Sequence, residues 1–218
     1  MDDAIALVGG TGALGVGLAT RFAAAGLSVL IGSRDPQRAD AAADRIRGLV
    51  PNARIEGAAN RDAVTCCPRV LLCLPFAGLS DWLAEEGRWL VGKLVIDAVV
   101  PLGFEKGFCT LLPVPGAPSA GESIQQAVPG ARVVCAFKNL PAGPLQDLTV
   151  NLVADVLLCG NEATARMEVA ELVRRIPSLR PVDAGVLANA RYLEAITALL
   201  VNVNRQHKVH ATIAITDL

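Results

Sequence analysis

The chain predicts an α/β fold with a doubly wound, mainly parallel sheet and a small C-terminal α/β appendage, and three features point to it. Apolar runs alternate with amphipathic, Ala-rich stretches over residues 1–140. The first run, Ile5-Ala6-Leu7-Val8, feeds straight into a glycine turn, Gly9-Gly10-Thr11-Gly12-Ala13-Leu14-Gly15. Several later runs are apolar throughout, as expected of strands covered by helices on both faces.

In chain order, strands are predicted over residues 5–8, 29–32, 54–57, 70–74, 94–97 and 132–137. Helices are predicted between them over 16–25, 36–49, 61–66, 79–90 and 122–128. The second helix has a clear start, with Asp35 as N-cap and Pro36 at the first helical position. Residues 101–119, rich in Pro and Gly and without a period, read as a long loop, a kind of segment that often serves function. From about Asn151 the pattern changes, giving a strand over 156–160, a helix over 162–175, a short strand over 180–183 and a helix over 193–204. We therefore divide the chain into a nucleotide-binding part, 1–150, and a smaller part, 151–218, packed on it. Leu193, Ile196, Leu199, Leu200 and Val203 form a broad apolar stripe on the last helix, for core packing first and a dimer contact second.

Strand, glycine turn and helix together make the opening of a Rossmann-like dinucleotide-binding unit. Gly10, Gly12 and Gly15 fit the spacing G-x-G-x-x-G, which allows a tight turn, close approach to a pyrophosphate and close helix–strand packing. The end of the second strand selects the dinucleotide. Units that bind NAD place an acid there for the ribose 2′-hydroxyl. This chain has Ser33 and Arg34, with Arg38 a helical turn later. A hydroxyl and two guanidiniums suit a 2′-phosphate through charge-assisted bonds, so the cofactor expected is NADP.

Composition narrows the class further. Of 218 residues, 52% are apolar and 19% charged, enough for a sizeable core, and the net charge of −1 gives no reason to expect nucleic acid or an anionic membrane. No apolar run reaches membrane-spanning length, and the Met1-Asp2-Asp3 start lacks the basic and apolar parts of a signal peptide, which predicts a cytoplasmic protein. The six cysteines form no C-x-x-C pair and the histidines are only His207 and His210, so no metal site is expected. Cys73, Cys135 and Cys159 read as small buried hydrophobes. The vicinal Cys66-Cys67 pair is open to a redox reading.

Ligands of open α/β sheets bind outside the carboxyl ends of the strands. That rule nominates residues 10–14, Ser33 and Arg34, Leu74-Pro75-Phe76, Val99-Val100-Pro101, and Lys138-Asn139-Leu140-Pro141-Ala142. Leu74, Pro75 and Pro101 offer an apolar lining for a nicotinamide ring. Lys138 is the cation at a strand end, fit to hold an acidic acceptor or a polarised ring oxygen, or else a solvated surface lysine. The set is short of acid–base groups, since the single tyrosine, Tyr192, falls far downstream, and no catalytic side chain is nominated. A site of this kind fits hydride exchange between two cofactors, in which the protein positions the rings.

With these residues in place, the chain resembles the coenzyme F420H2:NADP oxidoreductase family over nearly its whole length. The resemblance rests on the glycine turn, Gly32-Ser33-Arg34, Lys106-Gly107-Phe108, Leu179-Arg180-Pro181-Val182-Asp183-Ala184-Gly185, Leu187-Ala188-Asn189-Ala190-Arg191, and His210-Ala211-Thr212-Ile213. It implies direct hydride transfer between NADP and the deazaflavin coenzyme F420. It also implies that Thr11, Gly12, Ala13 and Leu14 hold the pyrophosphate, that Ser33, Arg34 and Arg38 hold the 2′-phosphate, and that Pro75, Val100 and Ala142 border the nicotinamide. Pro101, Lys138, Asn139, Leu140 and Thr212 fall where it puts the second substrate. The protein is expected to work as a homodimer. Two positions depart from the family pattern: Phe137-Lys138-Asn139 stands where a histidine is usual in the middle, and Thr212 stands where a glycine is usual. They keep two alternatives open, a pterin-like acceptor such as methylene-tetrahydromethanopterin, and a non-catalytic NADP-binding sensor.

Overall fold

The computed structural model describes residues 4–218. The Met1-Asp2-Asp3 start, on which the absence of a signal peptide was read, lies outside the described residues. β1 (Ala4–Val8), α1 (Ala13–Ala24), β2 (Ser28–Ser33), α2 (Pro36–Leu49), β3 (Ile55–Ala59) and α3 (Asn60–Cys66) form the first half of the fold. β4 (Arg69–Leu72), α4 (Leu79–Glu86), β5 (Leu94–Asp97), β6 (Leu102–Glu105), β7 (Phe108–Leu111), α5 (Ala120–Ala127) and β8 (Arg132–Cys135) follow. α6 (Ala142–Gln146), β9 (Ala154–Gly160), α7 (Ala163–Arg174), β10 (Leu179–Asp183) and α8 (Ala190–His207) complete the chain.

Eight strands make one sheet in the order β10-β9-β8-β5-β4-β1-β2-β3. All neighbouring pairs are parallel except β8 and β9, which pair antiparallel through Val134 with Gly160 and Cys135 with Cys159. The C-terminal strands thus extend the same sheet in the reverse direction. Alternation along β1 explains the two-sided core. Ile5 and Leu7 face a cluster with Leu18, Phe22, Ile46 and Val169, while Ala4, Ala6 and Val8 face one with Trp82, Leu83, Ile124 and Leu193. A strand buried on both faces reads as a continuous apolar run, which is why the pattern carried no polar alternation.

The start of α2 follows its local chemistry. The Asp35 carboxylate accepts from Gln37 N–H at 3.0 Å and Pro36 occupies the first turn. Two local expectations need correcting. Residues 101–119 are not structureless: β6 and β7 form an antiparallel hairpin around Lys106 and Gly107, both at positive φ. That turn geometry suits a right-twisted two-residue hairpin, and Asn202 of α8 clamps it by bonding both the N–H and the C=O of Cys109. The short helix α6 was also missed; its Gly-Pro start hides a turn that packs on α1.

The chain end returns to the sheet. Arg180 donates to both carboxylate oxygens of Asp155, at 2.6 and 2.7 Å, and Ile215 N–H donates to the same group. The Arg180 bonds hold the Asp155 carboxyl below the usual carboxylate range, against the upward pull of burial. A carboxyl depressed in the folded state stabilises above its unfolded pKa, and that stabilisation is lost as pH falls through the folded value. Asp155→Asn is therefore expected to lower the melting temperature at neutral pH. The gap to wild type should close in thermal melts taken in strong acid, where the wild type loses the same interaction. Among the described residues no helix is long and apolar enough to cross a membrane.

Candidate functional site

The strand order reverses direction of growth between β1 and β4, and a cleft of about 650 Å³ lies at their carboxyl ends. This is where open α/β sheets take ligands. Gly9, Thr11 and Gly12 line it from β1, Ser33, Arg34 and Arg38 from β2, Asn60 from β3, and Cys73, Leu74 and Pro75 from β4. A second hollow of about 500 Å³ between α4 and α5 is lined by Ser80, Leu83, Val91 and Val128. It lies towards the amino ends of β5 and β8, so the sheet geometry favours the glycine cleft.

The glycine turn is fixed by backbone bonds and by contact. Gly10 N–H donates to Leu7 C=O and Gly32 C=O, and Gly9 sits at φ +69°. A Cβ on Gly15 would stand 2.6 Å from Gly10 Cα and 2.7 Å from Gly10 O. Backbone against backbone has no flexible side chain to yield. Gly15→Ala is expected to cost about 1–3 kcal/mol by overpacking and to abolish measurable dinucleotide binding in a calorimetric titration, while the distant Gly48→Ala, which meets nothing within 4 Å, leaves binding intact.

Electrostatics at the β2 end of the cleft favour an anion. Arg34 and Arg38 are exposed, and neither guanidinium has a partner among the described residues. Ser33 is buried; its Oγ accepts from Asp35 N–H at 3.1 Å, which leaves its own hydrogen to donate. Asp35 also lines the cleft, but its carboxylate is engaged as the α2 cap. The residues present therefore fit a phosphorylated ribose: two unpaired guanidiniums, a free hydroxyl donor and glycine backbone that leaves room.

Of the remaining expected contacts, Leu74 and Pro75 line the cleft. Gly10 is buried within the turn, and Ala13 and Leu14 begin α1 beside it. Ala142 starts α6, whose Gln146 donates to Ala13 C=O at 3.0 Å, so it stands close to the turn. Val100 is half-buried and Pro101 buried, both leading into the hairpin. Thr212 is half-buried on the returning tail, its hydroxyl 3.4 Å from Val153 C=O.

Lys138, Asn139 and Leu140 are all buried, which corrects the reading of Lys138 as a solvated surface lysine. The Lys138 side chain is only 1% exposed and lies beneath the strand ends, neither in solvent nor facing a cleft. Its ammonium donates to Asp97 Oδ2 at 2.6 Å, to Val99 C=O and to Glu194 Oε1 at 3.4 Å. Burial alone would lower its pKa, but Asp97, Cys135 and Glu194 more than reverse that and raise it. Phe137, at φ +61° and packed edge-on against Phe22 at 5.7 Å, turns the chain so that Lys138 enters the interior. Asn139 Nδ2 donates to Asp155 C=O, and Leu140 belongs to the core.

Cys73 is partly buried, packed against the core and lining the cleft wall, and Cys135 and Cys159 are fully buried. Its thiol is pushed up to about 12 by burial and then by Asp97, so it stays protonated at neutral pH. Burial and the neighbouring Cys66 raise the Cys67 thiol to about 11, so the Cys67 thiol stays protonated at neutral pH. Four cleft residues escaped the sequence reading, Asn60, Ala77, Gly78 and Trp82. Asn60 was readable only as the residue after a weak strand, and Trp82 only as part of an amphipathic helix. Among the described residues, no group of three or more His, Cys, Asp or Glu is placed to hold a metal ion.

Comparison with known proteins agrees with this geometry. Residues 4–101 match the family described as NADP oxidoreductase, coenzyme F420-dependent. The chain is 36% identical to the F420-dependent NADP reductase of Methanothermobacter thermautotrophicus, over 98% of this chain and 95% of that one. It is also 36% identical to the protein of that name from Methanocaldococcus jannaschii, over 98% of each. A crystal structure from Arthrobacter sp. FB24, provisionally assigned as an F420-dependent NADP reductase, superposes with a TM-score of 0.78 at 27% identity, covering 99% of this chain and 100% of that one. With its glycine cleft, its sheet order and relatives matched end to end, the chain belongs to the coenzyme F420-dependent NADP oxidoreductase family.

Proposed function

We propose that the protein is an NADP-dependent oxidoreductase that exchanges hydride directly between NADP(H) and the deazaflavin coenzyme F420. The observation that carries this reading is the pair of unpartnered guanidiniums, Arg34 and Arg38, beside Ser33 at one end of the glycine cleft, in a chain whose relatives are named F420-dependent NADP reductases. The nicotinamide and deazaflavin rings supply the hydride chemistry when bound.

The chain's own task is to bind, orient and keep water away. Gly10, Thr11, Gly12, Ala13 and Leu14 present the turn and the start of α1 to the pyrophosphate, where free N–H groups favour an anion. Ser33, Arg34 and Arg38 take the 2′-phosphate. Leu74, Pro75, Val100 and Ala142 border the nicotinamide with apolar surface, and Pro101 and Thr212 border the second ring. Residues 1–150 then serve as the NADP-binding part and residues 151–218 complete the second-substrate cleft, a division supported by the reversal of strand direction at β9. The same reading has the protein work in the cytoplasm as a homodimer, for which the exposed Tyr192 and Leu199 of α8 and Phe104 and Phe108 of the hairpin offer apolar surface.

Mixing the protein with NADPH and F420 and following the deazaflavin absorbance tests the proposal. Loss of absorbance in proportion to enzyme is expected. Absence of turnover at saturating F420 would overturn it, and the acceptor would then be sought among pterins. Selective NADPH binding with no transfer to deazaflavins, flavins or pterins would mark a sensor instead.

A further inference from the structure

Asn60 begins α3 at the carboxyl end of β3, next to the phosphate-reading end of β2, because Ala59 pairs with Ser33 in the sheet. Its side chain is buried, with 7% of the residue exposed, yet it lines the cleft together with Ser33, Arg34 and Arg38. Gly9 N–H donates to Asn60 Oδ1 at 3.2 Å. A backbone donor can meet only the amide oxygen, so this bond fixes which way the amide points. β2 makes room for it: a Cβ on Gly32 would lie 2.8 Å from Asn60 Oδ1. The other end of the amide, Nδ2, makes no hydrogen bond with any described residue. Two N–H donors are thus held beside the cleft by a residue whose acceptor is already engaged. Nδ2 is open to the cleft while the rest of the side chain is enclosed, and the partner suited to this end of the cleft is an oxygen-rich anion.

We propose that Asn60 is a specificity-determining residue that donates Nδ2–H to the 2′-phosphorylated ribose while its Oδ1 locks the glycine turn at Gly9. This rests on the reading of the cleft as an NADP site. One amide then ties the pyrophosphate turn to the phosphate reader, so that the two ends of the adenosine half are set together.

Asn60→Asp tests the proposal. It keeps an oxygen for Gly9 N–H and replaces the two donors by a negative charge. Calorimetric titration with 2′,5′-ADP and with ADP should show the first weakened by about 30-fold or more, the scale of a charge-assisted bond exchanged for a repulsion. ADP should change by less than about threefold. Equal weakening of both ligands would show that Asn60 only holds the turn, and no change in either would show no role at all; both results overturn the proposal. If Asn60→Asp does not fold in a thermal melt, Asn60→Ser, which also lacks the amide donors, is put through the same comparison. Arg34→Ala serves as the parallel arm. If it too leaves the ratio of the two affinities unchanged, the NADP reading of the cleft fails. If it shifts the ratio and Asn60→Asp does not, only the role of Asn60 fails.

Discussion

Replacing Arg34 and Arg38 together by alanine is expected to weaken NADPH by about 2–4 kcal/mol, or roughly 30- to 1,000-fold, and NADH by no more than a few-fold. Each guanidinium stands to lose one charge-assisted bond to phosphate, worth about 1.5–3 kcal/mol, and their exposure to solvent discounts the sum. The loss separates cleanly from stability, because neither guanidinium has a partner among the described residues and both are exposed. Surface substitutions away from such partners usually stay within about 0.5 kcal/mol. The ligand-free melting temperature should therefore hold while the stabilisation by NADPH disappears, since ligand stabilisation scales with occupancy. Parallel titrations of NADPH and NADH check this. Equal weakening of the two cofactors would mean that these arginines do not read the 2′-phosphate.

The parts of this site that sequence disclosed are those whose chemistry is local. Gly10 and Gly15 declare a turn because backbone approach admits no Cβ there, and Asp35-Pro36 declares a helix start because the cap and the fixed φ act within one turn. Ser33, Arg34 and Arg38 were legible for the same reason, since they follow a strand by a fixed interval. Asn60 was not, because its partner Gly9 is 51 residues away and only the parallel pairing of β2 with β3 brings it beside Ser33. The burial of Lys138 was hidden on similar grounds. A lysine after a strand reads as a surface or ligand cation until the fold supplies Asp97 from β5 and Glu194 from α8. The hairpin of β6 and β7 was lost because four-residue strands offer too few alternations to outweigh the surrounding Pro and Gly. Reversal of β9 was equally hidden, since an apolar run buried on both faces does not state its direction.

Lys138→Met is expected to destabilise the fold by about 3–5 kcal/mol, the cost of leaving a buried charge without its partner. Asp97 is fully buried and Glu194 is 2% exposed, so removing the ammonium sets two enclosed carboxyls against each other. Out of a total stability of about 5–15 kcal/mol this is a large share. The pH dependence gives the cause away. Burial already pushes the Glu194 carboxyl up, opposed by Lys138, and removing the lysine lets it rise further. A carboxyl raised in the folded state is stabilising below its unfolded pKa, and that benefit is lost as pH rises through the folded value. Urea titrations should therefore show a smaller deficit near about pH 5 than near about pH 8, and adding Glu194→Gln should recover part of the loss at the higher pH. A deficit under about 1 kcal/mol at both values would show that the ion triad does not hold the site together. The consequence reaches the cleft because the same ammonium bonds Val99 C=O, directly before Val100 and Pro101. A buried lysine can thereby set where that border stands, so variants that retain the fold should lose hydride-transfer rate before they lose affinity for the adenosine half, which we propose Arg34 and Arg38 bind on the β2 side of the sheet's switch point.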